Sequence, residues 1–178
     1  MKTKIAILLF ITLMFGGCQW IKDLAEVDFS TDLVMNIPVT VSGTKSADQA
    51  PEVNALNFSA SQDLKLADNE DIEPYLEKLR KIDMKSLVVT VTGLTSGQTI
   101  NTMSLDAAGI GTLCSQTNIT STNNTFTPQV DAAKLTQAGE KLKNDRELTL
   151  TLTGNVSGPM VFNVGLVFGV DVTAGALD

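Results

Sequence analysis

The stretch Met160-Val161-Phe162-Asn163-Val164-Gly165-Leu166-Val167-Phe168-Gly169-Val170-Asp171-Val172-Thr173 decides the fold. Every even position is apolar, and the odd positions are mixed. Strict period-two alternation over this length is a β-strand with one face in a core. At ~3.3 Å per residue it reaches roughly 40 Å and needs partners of similar length. The other end of the chain supplies one. Val27, Phe29, Thr31, Leu33, Met35, Ile37, Val39 and Val41 alternate with Asp28, Ser30, Asp32, Asn36 and Thr40, and only Thr31 interrupts the apolar face. Pro38 cannot donate to a ladder, so it predicts an edge strand, a bulge or a break.

Shorter strands are predicted at 53–61, 87–93, 98–105, 110–117 and 148–154, separated by turns rich in Gly, Ser and Asn. Two helices interrupt them. Asp68-Asn69-Glu70-Asp71 offers N-caps and first-turn acids, Pro74 suits a first turn, and Ile72, Tyr75, Leu76 and Leu79 form one stripe. Asp131 caps the second helix, whose stripe is Ala132, Leu135, Ala138 and Leu142, with Gly139 as a weak point. The acidic cluster at 68–71 fails as a calcium loop. Ile72 stands where the third ligand belongs, and no Gly follows.

The chain also contains an internal echo. Residues 87–97 (Leu-Val-Val-Thr-Val-Thr-Gly-Leu-Thr-Ser-Gly) align without gaps on 148–158 (Leu-Thr-Leu-Thr-Leu-Thr-Gly-Asn-Val-Ser-Gly), with six of eleven positions identical. Two readings are open: two pseudo-symmetric halves, each a helix feeding a hairpin, or convergence of Thr-rich strands. The fold expected is mainly β, an antiparallel two-sheet β-sandwich with two short helices. A closed barrel is the alternative.

The start of the chain predicts an address. Lys2 and Lys4 precede an apolar run from Ile5 to Phe15, too short to cross a bilayer and suited to a signal peptide. The run ends in Phe15-Gly16-Gly17-Cys18. These residues resemble the lipobox of bacterial lipoproteins, with Phe15 departing from the usual Leu. The resemblance implies cleavage before Cys18, acylation of Cys18, and, with Gln19 and not Asp next, sorting to the outer membrane. It extends loosely over the chain, through Glu70-Asp71-Ile72-Glu73-Pro74-Tyr75-Leu76 leading into a strand and Phe162-Asn163-Val164 running toward Val172-Thr173-Ala174. These features are similar to small bacterial lipoproteins, a group that brings no activity with it. The expected organisation is a signal peptide at 1–17, a lipidated tether at 18–26 and a sandwich at 27–178. More than one acyl chain gives firm anchoring, since a single chain is marginal.

Composition excludes several function classes. The formal charge is −7, and losing Lys2 and Lys4 takes it to −9. Such a domain repels phosphate backbones, so nucleic acid is not an expected partner. The chain has no histidine, which removes His-based triads and imidazole metal sites. No metal or cofactor is expected. With Cys18 acylated, Cys114 has no disulfide partner and reads as a small buried hydrophobe. Ser42-Gly43-Thr44-Lys45 matches an acylating S-x-x-K pair only by spelling, because its companion motifs are missing.

These readings predict a lipid-anchored, non-catalytic envelope protein that binds or supports a protein or glycan partner. An apolar-ligand carrier between the sheets and a hydrolase using carboxylates alone are the alternatives. The candidate binding surface comes from a gap in charge. Residues 107–130 carry none, and Ser115 to Thr127 is dense in Ser, Thr and Asn. Solvated surfaces ordinarily mix both signs. Asn118, Thr120, Ser121, Thr122, Asn123 and Asn124 are therefore the expected contact residues. Ile110, Leu113, Ile119 and Phe126 are core if the segment is instead packed strand. Gly165 and Gly169 are read first as close-packing positions and second as a ligand surface.

Overall fold

The computed structural model describes residues 25–43 and 55–177. The expected signal peptide, Cys18 and most of its tether lie outside the described residues, as does Lys45. The described residues form eight strands: β1 (Glu26–Val41), β2 (Leu56–Lys65), β3 (Leu79–Thr92), β4 (Thr99–Ala107), β5 (Gly111–Thr120), β6 (Thr125–Phe126), β7 (Glu147–Val156) and β8 (Met160–Gly175). An α-helix, α1 (Ala132–Asp145), and the 3₁₀ segments Leu66–Asp68 and Glu73–Lys78 also occur among the described residues.

The strands form two antiparallel four-stranded sheets in the orders β1-β8-β3-β6 and β2-β7-β4-β5. This is a jelly-roll sandwich. The two long alternating stretches pair along their full length, from Glu26 opposite Gly175 to Val41 opposite Met160. Their apolar faces point inward. Leu33, Ile37, Phe162 and Phe168 are at most 1% exposed, and the Phe58 and Phe162 rings meet edge-to-face at 5.4 Å.

Register fixes two ends of the sandwich. Glu26, Gly175, Leu79, Lys65 and Glu147 lie at the near end, where the described chain enters. Val41, Met160, Thr92, Leu56 and Val156 lie at the far end, where residues 157–159 tie β7 directly to β8. The loops at 93–98 and 121–124 also sit there.

The sheet edges are guarded against pairing with other chains. Asn69 Nδ2 donates to the Asp32 carbonyl at 3.0 Å, from the open side of β1. Residues in an antiparallel ladder alternate toward and away from the partner strand. Pro38, six residues on with no register shift, therefore turns its missing donor outward too. β2 carries Asp63 and Lys65, and β6 is two residues long. β5 is bent by a register shift at Leu105/Asp106 and by Asn118 in the left-handed region at φ 55°.

Two expectations need correction. The stripe from Ile72 to Leu79 does not run along an α-helix. Asn69 Oδ1 does cap, accepting from the Asp71 and Ile72 amides at 3.0 Å, but a six-residue 3₁₀ segment follows and Leu79 already begins β3. The two echoing passages are not hairpins either. β3 and β4 lie in different sheets, as do β7 and β8, so each turn is an arch across the sandwich. The echo still has structural sense, because β3, β4, β7 and β8 are the four central strands, two in each sheet. The aligned glycines differ in role. Gly93 adopts φ 91° in its turn, whereas Gly154 lies in β7, where a Cβ would collide with the Thr102 carbonyl and the Phe58 ring.

The second helix forms as expected. Asp131 Oδ1 caps it through the Ala133 amide at 2.8 Å, and Leu135, Ala138, Gly139 and Leu142 are buried. Gly139 is there for contact, since a Cβ would press into the Ile82 carbonyl of β3. In this way α1 packs on β3 of one sheet and β7 of the other.

Candidate binding surface

The expected contact residues lie together at the far end, but several of them serve the fold. Asn118 bends β5 through its positive φ. The Thr120 and Asn123 backbones bond reciprocally, at 3.2 and 3.3 Å, closing a turn. Asn124 ties that turn to the neighbouring sheet. Its carbonyl accepts from the Val91 amide at 2.7 Å, and its Nδ2 donates to the Val91 carbonyl at 3.0 Å. Ser121 and Thr122 remain exposed at the tip, with Thr122 Oγ1 3.3 Å from Thr120 Oγ1. Leu113 and Ile119 are core, and Ile110 and Phe126 are half-buried against it. The uncharged segment is therefore a strand, a clamped turn and a second short strand.

Folding shows that this segment belongs to a larger pattern. Among the described residues, the charges nearest the far end are Asp32, Asp63, Lys85, Asp106 and Asp171. Beyond them lie residues 33–43, 55–62, 86–105, 113–126, 148–159 and 160–170, which contain no charge at all. Lys45, Asp48 and Glu52 of the intervening loop lie outside the described residues. One half of the described sandwich is thus charged and acidic, and the other is neutral.

Within the neutral half the two outer faces differ. On the β1-β8-β3 face, Val34, Val167 and Val88 form a row, with Val34 63% exposed. Gly169 and Gly165 flank Val167 on β8. Asp32 and Ser86 stand beside Gly169, and Asn36 and Thr90 beside Gly165. These neighbours, not a helix, occupy the space around the two glycines. Val161, also 63% exposed, ends this face.

The outer face of the β2-β7-β4-β5 sheet carries hydroxyls and amides in register. Asn57, Asn155, Thr102 and Thr117 form one row across the four strands. Ser59, Thr153, Ser104 and Ser115 form the next, and Ser61, Thr151, Asp106 and Thr112 the third. Some are paired laterally. Asn155 Nδ2 donates to Thr102 Oγ1 at 2.8 Å, Ser115 Oγ donates to Ser104 Oγ at 3.2 Å, and Ser61 and Thr151 share a 2.9 Å bond. A hydroxyl is one donor with two acceptor sites, so each pair keeps groups free for an outside ligand.

The charged half offers different chemistry. A cleft of about 790 Å³ lies beside β1, with Asp32, Asp68, Glu70, Asp71, Lys85 and Asp171 among its lining. Asp83 and Asp171 stand directly opposite one another on β3 and β8, at a smaller cleft of about 350 Å³. Two facing carboxylates are what acid–base hydrolysis needs, provided one pKa is raised. Here both are lowered. The Lys85 ammonium, 2.5 Å from Asp83, holds that carboxyl below the usual range, with Lys81 assisting at 3.3 Å. The 2.6 Å bond from Ser30 Oγ, then Lys85 at 3.5 Å, does the same for Asp171. Neither can act as a proton donor near neutrality. No group of three or more potential metal-ligating side chains occurs among the described residues.

Cys114 is half-buried against the core, and burial pushes its thiol up to about 11. A thiol with that pKa is a poor nucleophile near neutrality. No described helix is long and apolar enough to cross a membrane.

No protein-family model matches the chain, and no curated protein matches it. Among solved structures, the decameric BFDV capsid protein aligns at 13% identity and a TM-score of 0.44, covering 82% of this chain and 99% of that one. The Desmodium yellow mottle tymovirus structure aligns at 11% and 0.39, covering 85% and 91%. Turnip yellow mosaic virus aligns at 14% and 0.33, covering 85% and 97%. At these scores the likenesses carry no functional argument, and the jelly-roll assignment rests on this chain's own strand order.

Proposed function

We propose that this protein is a lipid-anchored, non-catalytic envelope protein that binds a neutral partner through its uncharged half. One observation carries the reading: the neutral half lies at the end of the sandwich away from where the chain enters. Eight peptide units separate Cys18 from Glu26, so an acylated Cys18 holds the near end within roughly 30 Å of a membrane surface. The acidic half then faces the bilayer and the neutral half faces away. Charge does not attach such a protein to anionic lipid, so the acyl chains supply the attachment. The paired Asp83 and Asp171, both ionised, support the non-catalytic part of the proposal.

Growth with a labelled fatty acid tests the anchor. Wild type should take up label and partition with membranes, and Cys18→Ser should do neither. Equal labelling of the two would end the lipid-anchor reading. The outer membrane is the proposed site, so separation of inner and outer membranes should place the labelled protein in the outer fraction.

A further inference from the structure

We infer that the hydroxyl face of the β2-β7-β4-β5 sheet, centred on Asn155, Thr102, Thr153 and Ser104, is a binding site for an uncharged polysaccharide. The inference deepens the proposed binding role and is independent of the anchor. Four classes of partner can be compared with this face. Nucleic acids and anionic polymers need Lys or Arg, and the two central rows have neither. Protein interfaces are enriched in aromatic, Met and Arg anchors, and these rows supply only Ser, Thr and Asn. The exposed valines of the neutral half lie on the opposite sheet. A lipid surface needs apolar area, which is likewise missing here. An uncharged glycan presents the complementary chemistry. Its hydroxyls donate and accept by turns, as the face does, and it bears no charge to be left uncompensated. The Asn155–Thr102 pair, 2.8 Å apart, fixes the orientation of one amide, leaving its carbonyl oxygen open. Neutrality of the surrounding residues keeps the approach free of desolvated charge.

Affinity electrophoresis of the full-length protein through native gels containing dextran, mannan or laminarin tests the site, with dextran sulfate and polygalacturonate as charged controls. Retardation by at least one neutral polymer and by neither charged one is expected. The double variant Asn155→Ala/Thr153→Ala should weaken the retardation at least roughly tenfold, since several hydrogen bonds are lost at once. Ser104→Lys should do the same by placing an unmatched charge in the site. Val34→Ala, on the other sheet, should leave it unchanged. A thermal melt within a few degrees of wild type shows that each variant is folded; should the double variant melt early, Ser104→Lys alone decides. Retardation only by charged polymers, by none of the polymers, or equally by wild type and Ser104→Lys would overturn the inference. So would concentration-dependent self-association abolished by Ser104→Lys, which would make a second copy the occupant. Loss of fatty-acid labelling with retained retardation would remove the anchor and leave this site standing.

Discussion

The charged and neutral halves of the sandwich are built from the same strands. β1, β3, β7 and β8 run through both, with one alternation and one continuous core. At the near end β1 presents Asp28, Ser30 and Asp32 outward, and at the far end Asn36, Pro38 and Thr40. The inward residues of β8 stay apolar and buried across the division, from Val172 and Ala174 at the near end to Phe162 and Val164 at the far end. The core is therefore indifferent to the division. Folding requires only that outward positions be polar enough for water. Acid, amide and hydroxyl serve that equally, so the separation of charge is a property of the surface and points to what each surface meets.

That comparison can be tested by perturbing each half. The largest effects should come from the shared core and should be alike in both. Gly139→Ala at the near end drives a methyl into the Ile82 carbonyl, and Gly154→Ala at the far end drives one into the Thr102 carbonyl and Phe58. Each should cost about 1–3 kcal/mol or more in urea unfolding, even though Ala is the better helix former at 139. Gly158→Ala is the control. Nothing lies within 4 Å of its added Cβ, and the change should be neutral or stabilise by up to about 1 kcal/mol. Unfolding transitions that do not coincide when followed by different probes would show that the halves unfold separately.

A smaller effect belongs to the near half alone. Asp131→Ala removes the cap on the Ala133 amide and should cost about 1 kcal/mol. Retardation by neutral polymers should not change, because the helix reaches only the third row, where Lys134 donates to the Thr112 carbonyl, and neither of the two central rows.

The smallest effect concerns acid. Asp83 and Asp171 have folded-state pKa values below the ordinary carboxylate value of about 3.9. Their contribution is fully present above that pH and is lost as pH falls through the lowered values. Lys85, raised by its bond to Asp83, contributes up to about pH 10.4 and loses its effect only above that. All three are solvated, so the effect is modest. Comparing urea midpoints between pH 6 and pH 2.5 should show a smaller acid loss for Lys85→Met than for wild type. Far-half variants such as Ser104→Ala remove no charge and should show the same acid loss as wild type.

The legible parts of the fold were those with long-range regularity. Two sixteen-residue strands declared themselves by alternation, and of the three readings open for Pro38 the edge strand is the one found. The arches did not declare themselves. Gly-Leu-Thr-Ser-Gly and Gly-Asn-Val-Ser-Gly are turn sequences, and a turn of this kind joins two strands whether they share a sheet or face each other across a core. The stripe through Ile72 and Leu79 was misleading because four apolar contacts can also be made by a 3₁₀ segment entering a strand. The neutral surface was visible only in part. Residues 107–130 stood out because they are contiguous. The remaining pieces are scattered through the chain and join only once the strand order is known. The rows through Asn155 and Thr153 were hidden for the same reason, since sequence shows which residues face outward but not which ones stand side by side.

The pairing of β1 with β8 also has a consequence in time. Among the described strands β8 comes last in the chain, yet it lies between β1 and β3, and β1 has no other partner in its sheet. Until β8 emerges, beginning with Met160 opposite Val41, the first strand has nothing in its sheet to pair with. The chain cannot close its core from the N-terminus onward. It must wait as an open polymer and then collapse through contacts between its two extremities, a slow route by the measure of contact order. If the chain is exported as proposed, that delay is useful, because a segment that folds too early cannot be threaded through a narrow channel.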